Sequence, residues 1–280
     1  MQQASVSSGK VSVCVELPPA DSEVVPGVLW GAVEAFPTPA YWAYQVLARR
    51  VENRSVRYRL GNSLREELGA CLLGGHGIPA PVGVAAFEHL RTRGAFDKTA
   101  PEASTLQVWL SEPLAVADRW VRYRFARQKA RYLAQALQQL DEINPADSSG
   151  RALRDSLLAL PGVGYKTASW IARNWLDADD VAILDIHILR AGVVGGFLDP
   201  ELTVERHYQA LEEQFLSFSE GLGVRASELD AVIWLEMASA PRSVQSVLSG
   251  LPDGRFKSKH ISPRRAENRR SNTDQLALLA

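Results

Sequence analysis

The stretch LPGVGYKTA, residues 160–168, constrains this chain more than any other. Apolar residues recur at helical spacing on both sides of it, in GRALRDSLLAL before and KTASWIARNWL after. Two glycines, Gly162 and Gly164, let the chain reverse within a few residues, because glycine accepts backbone angles that other residues resist. The segment therefore joins two helices through a tight hairpin, a helix-hairpin-helix over about 153–176. One reading is a plain turn between helices. The other uses the backbone N–H groups of Gly162, Val163 and Gly164 and of the helix start, which point outward with little side chain in the way and suit a phosphate.

The rest of the sequence favours a mainly α fold. PAYWAYQVLARRVE, GNSLREELGACLLGG, PAPVGVAAFEHLRTRG, RWVRYRFARQKARYLAQALQQLDEI, TVERHYQALEEQFLSFSEGLG and RASELDAVIWLEMAS are all expected to be helical. The second opens with a capping box, Ser63 to Glu66. Strand signals are scarce beyond KVSVCVEL. Residues 1–25 are expected to form an N-terminal arm, 26–251 a helical domain of two lobes, and 252–280 a basic, polar tail that stays disordered until it binds. The 280 residues are 46% hydrophobic and 22% charged, as in ordinary globular proteins. The net charge of −1 gives no hint of a polyanionic partner, so any such hint must come from local charge. Two cysteines are too few for a disulfide framework or a four-thiolate metal site, and no metal or cofactor is expected. Neither a signal peptide nor a membrane-length apolar run stands out, so the expectation is a cytoplasmic, nucleoid-associated protein without membrane contact.

LPGVGYKTA followed by LDIHILR resembles the pattern LPGVGxKTA…VDxHxxR of the helix-hairpin-helix DNA glycosylases, which carry a Gly/Pro-rich loop and an essential aspartate. The resemblance extends over residues 60–240 and implies a two-lobed helical glycosylase fold. It also implies that Lys166, at the lysine position of the bifunctional members, is the nucleophile, and that Asp185 is the catalytic carboxylate. Without a four-cysteine cluster the chain is most similar to the bifunctional 8-oxoguanine DNA glycosylase/AP lyases. The implied function is excision of an oxidised purine, 8-oxoguanine first among them, with β-elimination at the abasic site. The alternatives are the same chemistry on a different modified base, or a helix-hairpin-helix DNA-binding protein without catalysis.

The chemistry fits the residue types. Breaking the bond from C1′ to a base leaves an electron-poor sugar that a carboxylate stabilises. A lysine amine can attack C1′ and form a Schiff base. For that some of it must be unprotonated, against an ordinary pKa of about 10.4, and the positive end of a helix pushes in that direction. Asp185 also reads as the N-cap of the helix IHILRAG, and capping alone is a competing explanation for it. His187 reads as structural or loop-orienting, and Arg190 as a phosphate contact.

A base must leave the stack to be excised, and the gap must be filled. His76, in LLGGHGIPAP, matches the gap-filling position in relatives, where an amide is usual; a surface loop histidine is the other reading. For the extruded base, Asp230 and Trp234 share one helix face at i, i+4, the carboxylate to accept from a purine N–H and the indole to stack. A core tryptophan is the other reading of Trp234. Arg119, Arg122, Arg124, Arg127, Lys129 and Arg131 form a basic run, either a solvated face or a grip on the DNA backbone, with Lys129 the backbone candidate. In the tail, Gln275–Leu279 resembles the short peptide by which bacterial repair proteins dock on the sliding clamp. The expected partners are thus double-stranded DNA with a damaged base, and a sliding clamp.

Overall fold

The structure, a computed structural model, describes residues 1–9, 11–52, 59–75, 77–145 and 149–239. His76, the basic tail and the Gln275–Leu279 peptide lie outside the described residues. The described residues form two compact units: 1–52 with 184–239, and 59–183. The described residues are mainly helical, with ten α-helices and three two-stranded antiparallel sheets.

The first unit opens with the hairpin β1 (Gln2–Ser8) and β2 (Val11–Leu17), in register from Gln2↔Leu17 to Ser8↔Val11. The segment expected as an arm is thus a paired sheet with buried Val6, Val15 and Leu17. The short pair β3 (Glu23–Val25) and β4 (Val28–Leu29) follows. Helix α1 (Pro39–Val51) starts where Thr38 accepts a hydrogen bond from the Tyr41 N–H and Pro39 fills the first position, which needs no donor.

The chain then enters the second unit. α2 (Leu64–Leu73) is capped by Ser63, which accepts from Glu66 N–H at 3.2 Å. The return bond of the expected capping box shifts by one residue: Glu66 accepts from the N–H of Asn62 at 2.7 Å. α3 (Ala80–Arg91) and α4 (Ala103–Ser111) lead to a hairpin of β5 (Pro113–Val116) and β6 (Arg119–Arg122). The long helix expected from Arg119 is therefore shorter: α5 covers Ala126–Gln139. The reason is period 2 over PLAV, which buries Leu114 and Val116, and a left-handed turn at Ala117 (φ 50°) that sends RWVR back as the second strand. α6 (Gly150–Leu157) and α7 (Tyr165–Leu176) complete this unit around Leu133, Leu137, Leu153, Leu157, Ala168 and Ile171.

The chain returns to the first unit with α8 (Ile186–Gly195), α9 (Tyr208–Gly221) and α10 (Ala226–Ser239). α10 packs on α1, α8 and α9, and α1 packs on β1 and β2. Phe197 stacks on Phe218 with ring centroids 3.8 Å apart. Among the described residues no helix is long and apolar enough to cross a membrane.

Candidate active site

In the second unit, the hairpin between α6 and α7 is fixed by its glycines for different reasons. Gly162 has φ +81°, and a Cβ there would meet the Tyr132 ring of α5 at 2.4 Å. It must be glycine both for its backbone and for its contact with α5. Gly164 has an extended backbone and nothing within 4 Å of a would-be Cβ, yet it is the N-cap of α7. Serine or aspartate would satisfy that helix start better. A glycine there leaves the first N–H groups of α7 without a capping side chain, and the residue is exposed. Val163 is buried, so it anchors the turn in the core and offers only backbone outward.

Lys166 is the second residue of α7 and is half-buried. Its neighbour Tyr165 lies under the guanidinium of buried Arg154, 5.5 Å from the ring centroid, which ties α6 to α7. Trp170 and Trp175 are partly buried and pack against the core of this unit. Arg59 covers Trp175 at 4.0 Å.

Lys129, expected at the DNA backbone, is turned the other way. Its ammonium donates to the carbonyls of Leu72 at 2.6 Å and Gly74 at 3.5 Å. Burial pulls its pKa down from the ordinary lysine value. Tyr123 donates from its hydroxyl to Leu73 O at 2.6 Å. Three successive carbonyls at the end of α2 are thereby held by the segment Tyr123–Lys129. Such carbonyls lack helical partners and would otherwise be unsatisfied. Past the end of α2, Gly75 (φ +98°) and Gly77 (φ +77°) have left-handed backbones.

In the first unit, Asp185 is the N-cap of α8. Its Oδ1 accepts from His187 N–H at 2.8 Å and from Ile188 N–H at 3.2 Å, so the carboxylate is held in one orientation. Asp185 is half-buried. Arg190, on the same helix, is partly buried; desolvation lowers its pKa and the Asp185 charge opposes that. The His187 ring meets Trp234 of α10 edge-on, with centroids 6.3 Å apart at 80°. The structure thus gathers Asp185, His187 and Arg190 on α8 beside Trp234 on α10. Trp234 is only half-buried, unlike Ala231, Val232 and Ile233 just before it. Asp230, one turn earlier on α10, is 3% exposed. The His187–Trp234 contact had no signal in the sequence, since 47 residues separate the two rings. Among the described residues no group of His, Cys, Asp and Glu side chains is placed to hold a metal.

A family model described as 8-oxoguanine DNA glycosylase matches residues 51–224. A protein of Methanocaldococcus jannaschii named 8-oxoguanine DNA glycosylase/AP lyase is 34% identical over 117 residues, covering 40% of this chain and 56% of that protein. One from Saccharolobus solfataricus with the same name is 29% identical over 200 residues, 66% of this chain and 89% of that protein. The chain spans little more than half the length of the Methanocaldococcus relative, at 56%. Among solved structures, the 8-oxoguanine DNA glycosylase of Thermotoga maritima superposes with a TM-score of 0.54 at 22% identity, over 70% of this chain and 95% of the other. That of Methanocaldococcus jannaschii gives 0.55 at 21% identity, over 72% and 93%. These two share the fold of this chain.

Proposed function

Since this chain belongs to the 8-oxoguanine DNA glycosylase family, we propose that it excises an oxidised purine, 8-oxoguanine, from duplex DNA and then cleaves the abasic strand. The observation that carries the reading is a lysine in the first turn of α7, two residues after a glycine N-cap, in a chain whose relatives are named glycosylase/AP lyases.

In this account the hairpin Gly162–Gly164 and the open start of α7 take a phosphate beside the extruded nucleotide. Lys166 Nζ attacks C1′ as the bond from C1′ to the base breaks; the bonding pair leaves with the base, which takes up a proton. Asp185 stabilises the positive charge that develops on the sugar, and its two amide bonds fix it for that task. Opening of the sugar ring gives a Schiff base between Nζ and C1′. Loss of a proton from C2′ then expels the 3′ phosphate and nicks the strand. Trp234 stacks on the base, Asp230 accepts from the N7–H that oxidation at C8 creates, Arg190 holds a flanking phosphate, and His76 fills the gap. We place the protein with the DNA it serves, in the cytoplasm at the nucleoid, and Gln275–Leu279 on the sliding clamp. Deleting residues 275–280 is expected to abolish clamp pull-down and leave excision on free DNA intact; unchanged pull-down refutes the docking.

Borohydride trapping tests the enzyme reading. Wild-type protein with a duplex carrying one 8-oxoguanine is expected to form a covalent complex on reduction, and Lys166→Gln none while still binding the lesion. Trapping by Lys166→Gln at the wild-type level refutes the nucleophile. A panel of duplexes with single defined lesions tests the base: strongest excision of another lesion overturns 8-oxoguanine as the substrate.

A further inference from the structure

We propose that the β5–β6 hairpin is a second DNA-binding element, in which Trp120 packs against a base or sugar of the duplex flanking the extruded nucleotide while Arg122 and Arg124 take phosphates. The proposal rests on the DNA-directed reading above.

Directly paired residues in an antiparallel hairpin lie on the same face. The pairs Leu114↔Val121 and Val116↔Arg119 set the inner face, where Leu114 and Val116 are buried. The pairs Pro113↔Arg122 and Ala115↔Trp120 set the outer face. Trp120 is 74% exposed there, opposite an alanine too small to cover the indole. Tryptophan is large and apolar, and one this open offers its ring face to a partner.

The charge around it says which partner. From Arg119 to Arg131 the sequence has six basic residues and no acidic one. Lys129 is turned inward, but Arg119, Arg122, Arg124, Arg127 and Arg131 are all exposed. Among the described residues, Arg119, Arg122, Arg124 and Arg127 pair with no carboxylate. An aromatic face set among unpaired arginines is the combination that grips nucleic acid: phosphates take the cations, and every base has a π-face for the ring.

Position agrees. β6 runs straight into Tyr123, which holds the end of α2, and a methyl at Gly77 would stand 3.5 Å from the Phe125 ring. The hairpin thus leads into the segment that holds the end of α2 and packs against Gly77. Helix α5, which continues from that segment, is also the one Gly162 packs against.

Fluorescence anisotropy with an undamaged duplex, and with one carrying a stable abasic analogue, tests the proposal across a salt series. Trp120→Ala is expected to weaken binding about 10-fold, and Trp120→Phe to recover most of that loss. Arg122→Ala is expected to reduce the slope of log K against log salt by about one. Single-turnover excision with protein in excess over the lesion duplex, followed across protein concentration, is expected to reach half its maximal rate at a higher protein concentration in Trp120→Ala and Arg122→Ala, in step with the lost affinity. Wild-type affinity in Trp120→Ala together with an unchanged salt slope in Arg122→Ala overturns the hairpin's role and leaves the glycosylase reading standing. Loss of trapping by wild-type protein with these binding effects intact overturns the glycosylase reading and keeps the hairpin. A wild-type protein that binds neither duplex at low salt overturns both.

Discussion

Asp185 has two roles in this account, and a pair of variants separates them. Its Oδ1 accepts from two N–H groups at the start of α8, at 2.8 and 3.2 Å. Asp185→Asn keeps an oxygen in that position and removes only the charge, which is worth about 0.5 kcal/mol at a helix start. Asp185→Ala removes the acceptor as well, at a cost of about 1–2 kcal/mol. For a chain of this size, each 1 kcal/mol moves the melting midpoint by about 2–4 °C. The expected fall is thus about 1–2 °C for asparagine and several degrees more for alanine. Excision follows a different order, because both substitutions abolish the negative charge facing the sugar. Both are expected to lose about 10²–10³-fold in the single-turnover rate, by analogy with loss of one preorganised electrostatic group. The assay pairs a thermal melt with single-turnover excision on a duplex with one 8-oxoguanine. Asparagine excising at the wild-type rate, or excision falling only in step with the melting midpoint, refutes the catalytic role and leaves Asp185 as a cap.

Three further outcomes follow from the second unit. Gly162→Ala forces a side chain into a positive φ and to 2.4 Å from the Tyr132 ring; the summed cost of about 2–4 kcal/mol is read by denaturant unfolding. Tyr123→Phe leaves the Leu73 carbonyl without its 2.6 Å donor, costing about 1–2 kcal/mol in the same measurement. Lys129 has a folded pKa below its ordinary value, so between that lowered value and about 10.4 the unfolded state binds more protons and stability rises with pH. Unfolding at a series of alkaline pH values is expected to show this rise in the wild type and to lose it in Lys129→Met; the same rise in both removes Lys129 as its source.

The sequence was most informative where local chemistry decides structure. Thr38, Ser63 and Asp185 each mark a helix start through a bond made within three residues, and the two hairpin glycines mark the turn before α7. The same locality explains the failures. RWVRYRFARQKARYL satisfies a helical period, and only the pairing of RWVR with PLAV, across a turn at Ala117, makes its first part a strand. Lys129 stands in a run of arginines that suggests a grip on phosphates; its hydrogen-bond partners are carbonyls more than fifty residues away. Residues 1–25 are expected as an arm, yet alternation over β1 and β2 buries one face of a hairpin against α1. Within the candidate site, Asp185 and Lys166 stood out from motif alone. The meeting of His187 with Trp234 depends on α8 packing against α10, which no short window reveals.

The most direct test of the central claim is to locate the covalent bond. Wild-type protein is reduced with borohydride on a lesion duplex, the DNA is trimmed by nuclease, and the adducted peptide is identified by mass spectrometry. The account predicts a deoxyribose-derived remnant on the ε-amine of Lys166. A remnant on any other lysine or on the N-terminal amine, with Lys166 unmodified, contradicts it.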